Sequence, residues 1–121
     1  MKYRYIFLSF LLSIFIFSCN HIDTSTPDRM LLTASKSGNI EYVKLAIAKG
    51  ANLNAKDDKG STALHWAVYY GYKDIVKLLI MQGANPYITD NYGLTPIDVA
   101  RFNQKTEILK IFKELGYLKD N

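Results

Sequence analysis

The chain has 121 residues, 49% of them of apolar type and 21% charged, a balance that excludes a disordered polymer and fits one folded domain of ordinary size. Its formal charge of +4 owes two units to Lys2 and Arg4; without them thirteen basic residues face eleven acidic ones, interspersed and with no run of like sign, which argues against nucleic-acid binding. A single cysteine, Cys19, excludes an intramolecular disulfide, so stability has to come from packing.

In chain order, the first element is a targeting segment over residues 1–18. Lys2 and Arg4 precede the uncharged stretch from Ile6 to Phe17, and the small Ser18 follows, the order of charged, apolar and small residues that marks an export signal. The apolar stretch is too short to cross a bilayer comfortably. Ile16-Phe17-Ser18-Cys19 resembles the bacterial lipobox, which implies that the Cys19 thiol is lipidated and that the chain is an exported lipoprotein on the periplasmic side of a membrane or at the cell surface. Phe17 is bulky for that motif, and an ordinary cleaved signal or an uncleaved N-terminal anchor are the alternatives. Residues 19–27 are polar and aperiodic and read as a tether; the eight from Asn20 to Pro27 span at most about 26 to 29 Å when extended.

From residue 28 onward one period governs the chain. Ala34, Ala67 and Ala100 are spaced by 33, as are Val43, Val76 and Leu109, then Leu45, Leu78 and Ile111, and Gly50, Gly83 and Gly116. The units fall at about 28–56, 57–89 and 90–121. Gly38 and Gly71 separate two apolar periodic stretches, where a left-handed residue ends one helix and lets the chain reverse. In the middle unit Leu64, Ala67 and Val68 recur at helical spacing, and Ile75, Val76, Leu78, Leu79 and Ile80 give the second helix a wide apolar face, predicting it to be the more deeply buried of the pair. Thr62 is placed as an N-cap and Pro96 at a first helical position. Asp57-Asp58-Lys59-Gly60 and Asp90-Asn91-Tyr92-Gly93 carry turn chemistry suited to fingers between units.

The run Gly60-Ser61-Thr62-Ala63-Leu64-His65-Trp66-Ala67, with Gly71, Ile75-Val76, Leu78-Leu79 and Gly83-Ala84-Asn85, resembles an ankyrin repeat, and Gly93-Leu94-Thr95-Pro96 echoes its opening. The resemblance covers about ninety residues and implies an all-α solenoid of three helix-turn-helix units joined by β-turn fingers. It implies structural roles for Thr62, His65, Gly71, Gly83, Thr95 and Pro96, with His65 bridging neighbouring units. Asp98 stands where the family has histidine, Gln104 where it has the turn glycine, and unit one lacks the opening motif, so the outer units are expected to be caps.

The same resemblance implies a protein partner, engaged by the fingers and the exposed side of each first helix. Those positions are Asp58, Lys59, Ser61, Tyr69 and Tyr70 in the middle unit, Asn91, Tyr92, Leu94, Phe102 and Asn103 in the third, and Lys36 and Ser37 in the first. The set is rich in aromatic residues, which offer large contact area with few rotatable bonds. Trp66 is expected inside, in the core.

No catalytic or metal chemistry is called for. Ser61, His65 and Asp98 could be imagined as a nucleophilic set, but helices pack about 8 to 10 Å apart, which places Asp98 out of reach of His65. His21 and Cys19 lack the spacing of a metal site, and no phosphate-cradling loop is present. The expectation is a monomeric, non-catalytic protein-binding module without cofactor or small-molecule substrate, held at a bacterial membrane through lipid on Cys19. The alternative is a periplasmic immunity or chaperone-like protein that neutralises or protects a specific toxin or enzyme.

Overall fold

Short helices of seven to eleven residues are marginal on their own, and this chain stabilises each by capping its ends and stacking its faces. The computed structural model describes residues 22–119; the expectations placed on residues 1–21, including Cys19 and His21, lie outside that range. Among the described residues there are six helices: α1 (Pro27–Ser37), α2 (Ile40–Ala48), α3 (Ala63–Tyr70), α4 (Lys73–Met81), α5 (Pro96–Phe102) and α6 (Thr106–Glu114). They form three helix-turn-helix units, as the period requires, and no strand is present among the described residues.

The first helix of each unit begins on a threonine. Thr26 Oγ1 accepts from the Arg29 amide at 3.1 Å, Thr62 caps α3 through the amide of His65, and Thr95 caps α5 through the amide of Asp98. Each cap is worth about 1 kcal/mol. Pro27 and Pro96 sit at the start of α1 and α5, where a missing amide costs nothing. At the other end Gly38 and Gly71 take left-handed backbone with φ of 74° and 79°, and Gln104, at the equivalent turn of unit three, is forced into the same region at φ 53°.

The helix α1 starts earlier than the 33-residue register places it. Thr26-Pro27 supplies a cap and a first-turn proline ahead of Arg29, the repeat equivalent of Thr62, so α1 gains almost a full turn. The residues before it are tied down as well. Ile22 packs against the core, the Asp23 amide donates to Thr33 Oγ1 at 3.1 Å, and Arg29 Nη1 lies 3.0 Å from Asp23 Oδ2. Hydrogen bonds from Ser25, helped by Arg29, lower the Asp23 carboxyl to about 2. Residues 22–27, read from the sequence as part of a short tether, are fastened onto the first unit by these contacts.

The expectation about relative burial is reversed. The helix α3 packs against α1 on one side, α5 on the other and α4 behind, and buries Ala63, Leu64, His65, Ala67 and Val68. The helix α4 buries Ile75, Val76, Leu79 and Ile80, while Leu78 is only half-buried and Lys73, Asp74 and Lys77 face solvent. Both middle helices have neighbours on either side, but the stacks between first helices are the closer ones, and the outer face of α4 is left to solvent. The recurrent alanines explain the tight stacking: Ala34, Ala67 and Ala100 are fully buried, and a methyl group is all the space allows between neighbouring helices.

Candidate functional site

Two fingers and two helix faces build one concave surface. Each finger closes on itself: the Asp57 amide donates to the Ser61 carbonyl at 2.9 Å and the Asp90 amide to the Leu94 carbonyl at 2.9 Å. The fingers are then stitched to each other, because the Asn91 amide donates to the Lys59 carbonyl at 3.0 Å and Asn91 Nδ2 to the Asp58 carbonyl at 3.1 Å. Gly60 makes this approach possible. A Cβ there would lie 2.9 Å from the Asn91 amide nitrogen, and its φ of +72° also disfavours any side chain.

Behind the fingers, His65 locks the two units together. Its Nε2 is 2.8 Å from the Leu94 carbonyl oxygen, and its Nδ1 accepts from the Thr62 amide at 3.0 Å. A carbonyl only accepts, so the proton sits on Nε2 and the ring is neutral. Burial disfavours the charged imidazolium and lowers the His65 pKa against the opposing pull of its bond to Leu94 and the carboxylates of Asp90 and Asp57. In unit three Asp98 takes over the local half of this role: Oδ2 accepts from the Thr95 amide at 3.1 Å, and the Asp98 amide donates to Thr95 Oγ1 at 3.1 Å. The capping survives without the bridge, since no further unit follows Asp98 among the described residues.

Trp66 departs from its expected place. Part of it packs on the core, but it is only half-buried, because the indole N–H donates to Asp57 Oδ2 at 2.7 Å and draws the ring to the groove edge. Burial would raise the Asp57 carboxyl, yet the hydrogen bonds from Trp66 and from the Ser61 and Lys59 amides, with the charge of Lys36, outweigh it and leave the pKa lowered. Lys36 Nζ is 3.4 Å from Asp57 Oδ2 and lies 4.6 Å from the centre of the Trp66 ring.

The result is a groove of about 420 Å³ floored by Trp66, Tyr69, Tyr70, Leu94, Val99 and Phe102. Trp66 and Tyr70 stack with centroids 6.0 Å apart, and Tyr69 meets Tyr70 edge-on at 5.0 Å. Of the positions carried over from the resemblance, Lys59, Ser61, Tyr69, Tyr70, Tyr92, Leu94, Phe102 and Asn103 all line it. Tyr92 is 81% exposed and Phe102 74%, so neither is held in place by core contacts. Asp58 and Asn91 lie outside the groove and bond to each other, and Ser61 is buried at its wall. Ser37 turns back to its own helix, Oγ donating to the Thr33 carbonyl at 3.1 Å. Asp90 and Val99 also line the groove, and repeat matching did not pick them out.

The nucleophilic set does not assemble. Both ring nitrogens of His65 are committed to Thr62 and Leu94, and the Asp98 carboxylate serves Thr95 and, at 3.8 Å, Arg101. Among the described residues no cluster of His, Cys, Asp and Glu is suited to a metal ion, and no helix is long and apolar enough to cross a membrane.

A family profile described as ankyrin repeats (3 copies) matches residues 6–90 and again residues 31–119. The chain belongs to the ankyrin-repeat family. Ankyrin repeats are protein–protein interaction modules, and relatives of this ankyrin chain include a stimulating factor and a regulatory subunit. Osteoclast-stimulating factor 1 of Rattus norvegicus is 40% identical over 48 residues, 40% of this chain and 22% of that protein. Protein phosphatase 1 regulatory subunit 27 of Mus musculus is 43% identical over 56 residues, 45% of this chain and 36% of that protein. The ankyrin chain thus matches well under half the length of these relatives. Among solved structures, the crystal structure of EF0377, an ankyrin repeat protein, superposes with a TM-score of 0.67 at 41% identity, covering 69% of this chain and 45% of that one.

Proposed function

We propose that this chain is a non-catalytic ankyrin module that captures a protein partner in the groove between the fingers and α3 and α5, while lipid on Cys19 holds it at a bacterial membrane. The observation that carries the reading is the aromatic floor. Four of the large apolar side chains that stay exposed, Tyr69, Tyr70, Tyr92 and Phe102, converge on one concavity instead of scattering over the surface, and contiguous exposed apolar surface of that kind marks interaction sites. Finger stitching and the His65 bridge fix the backbone of both walls, although the Tyr92 and Phe102 side chains stay free to adjust. A preformed groove loses little entropy on binding.

Cross-linking in intact cells, followed by identification of the captured protein, tests the reading. Tyr70→Ala with Tyr92→Ala is expected to cut recovery of that protein at least about tenfold, as loss of aromatic anchors does at interface centres. Undiminished capture by the folded double variant would remove the groove as the partner surface.

A further inference from the structure

The charges around the groove are not equally available. Asp57 is enclosed by the Trp66 indole, two backbone amides and Lys36. Asp90 turns Oδ1 inward to the Tyr92 amide at 2.9 Å and the Leu94 amide at 3.0 Å. Lys36 is paired with Asp57. Lys59 remains: it is exposed, its Nζ hangs 5.7 Å from the Trp66 ring centre, and no carboxylate among the described residues lies within ion-pair reach of it. At the other end of α3, Lys73 and Lys105 surround the Gly71 turn beside Tyr70, facing the single carboxylate of Glu107 and paired with none. The anions that line the groove are turned inward, Asp58 is exposed but does not line it, and the unmatched charge at the groove's two ends is positive.

The aromatic floor does not call for a cationic guest, since the Trp66 ring already carries the ammonium groups of Lys36 and Lys59. What it lacks is an apolar side chain over Tyr69, Tyr70 and Phe102 and an anion at each end. The eight residues of α3 set the distance, about 12 Å, which an extended chain covers in about four residues. We infer that the groove takes an extended acidic segment of its protein partner. An aromatic or aliphatic side chain lies on the Tyr70 shelf, one carboxylate meets Lys59, and a second, about four residues along, meets Lys105. This rests on the groove being the partner surface proposed above, and names the chemistry it selects.

Selection of a random peptide display library on the full chain, immobilised in mild detergent, tests it. The expected enrichment is for sequences with Asp or Glu on both sides of an apolar residue. The best such peptide is expected to weaken at least about tenfold with Lys59→Glu and Lys105→Glu together, and to weaken steeply with added salt. A library selected on that charge-reversed variant should return Lys- or Arg-flanked sequences instead, which keeps the outcome independent of any loss of folding. Enrichment of basic or uncharged peptides that nevertheless lose binding with Tyr70→Ala would overturn the acidic preference and leave the groove standing. Enriched peptides indifferent to Tyr70→Ala would sink the groove itself, and no enrichment at all would overturn recognition of a short linear segment.

Discussion

Nε2 of His65 lies 2.8 Å from the carbonyl oxygen of Leu94, 29 residues away, while Nδ1 of the same ring accepts from the Thr62 amide. The imidazolium would place a second proton on Nδ1, inside a buried site where that nitrogen now accepts. Burial of the ring lowers the folded pKa, and the sign follows: below the ordinary imidazole value of about 6.5 the unfolded chain binds a proton that the folded chain refuses. Stability is fully present above that pH and falls as pH drops toward the folded value. Asp57, also lowered, adds a separate loss below about pH 4. Urea midpoints measured across pH 8 to 3 should show both descents, and His65→Gln should abolish the upper one while costing about 1 to 3 kcal/mol near neutral pH. An upper descent unchanged in that variant would assign it elsewhere.

Ser35 carries a hydroxyl that is fully buried and has no hydrogen-bond partner. A desolvated orphan of this kind costs about 1 to 3 kcal/mol. Ser35→Ala removes the oxygen, keeps the methylene packing and favours the helix, so the urea midpoint should rise. A fall would mean that the hydroxyl has a partner such as a buried water.

Two turn positions should respond in opposite directions. Gln104 holds φ 53°, a region that costs a residue with a side chain about 1 kcal/mol or more; Gln104→Gly should raise the thermal midpoint. Gly60→Ala would drive a methyl group into the Asn91 backbone, and should lower it while loosening the stitch between fingers. Amide exchange at Asn91 would report the second effect directly. Equal shifts of one sign would contradict the geometry.

The membrane reading has its own check. Cys19→Ser should move the protein from the membrane fraction to the soluble one if lipid is the anchor. Retention in the membrane, or an unmodified Cys19 in the mass spectrum of the wild type, would favour the apolar stretch from Ile6 to Phe17 as an uncleaved anchor.

How far the chain could be read in advance depended on whether a feature repeats. The units, the Thr62 and Thr95 caps and the reversals at Gly38, Gly71 and Gln104 all sit at the 33-residue spacing, and a periodic signal reinforces itself, while the unrepeated His65 bridge is implied only by the family resemblance. The early start of α1 on Thr26-Pro27 was not legible because it falls out of register with the other units. Trp66 breaks the rule that a large ring at an inward position is core, because its N–H needs an acceptor and finds one on Asp57. The division of labour among Asp58, Asn91, Ser61 and Tyr92 is likewise hidden from spacing. All four map to the finger region, yet only the folded fingers show that Asn91 is spent on the Asp58 and Lys59 carbonyls, that the Asp58 side chain stays outside the groove and that Tyr92 is left free.

Asp98 caps its own helix but reaches no further, and this gives the array a direction of growth. A unit appended after the third would meet a carboxylate where the middle unit has its bridging imidazole, and would lack that bond to its neighbour. A copy of residues 57–89 inserted before Asp90 would carry its own histidine to the Leu94 carbonyl and offer the Ser61 carbonyl to the original His65. The His65-type bridge can therefore be propagated by insertion from within, but not by a unit added after Asp98.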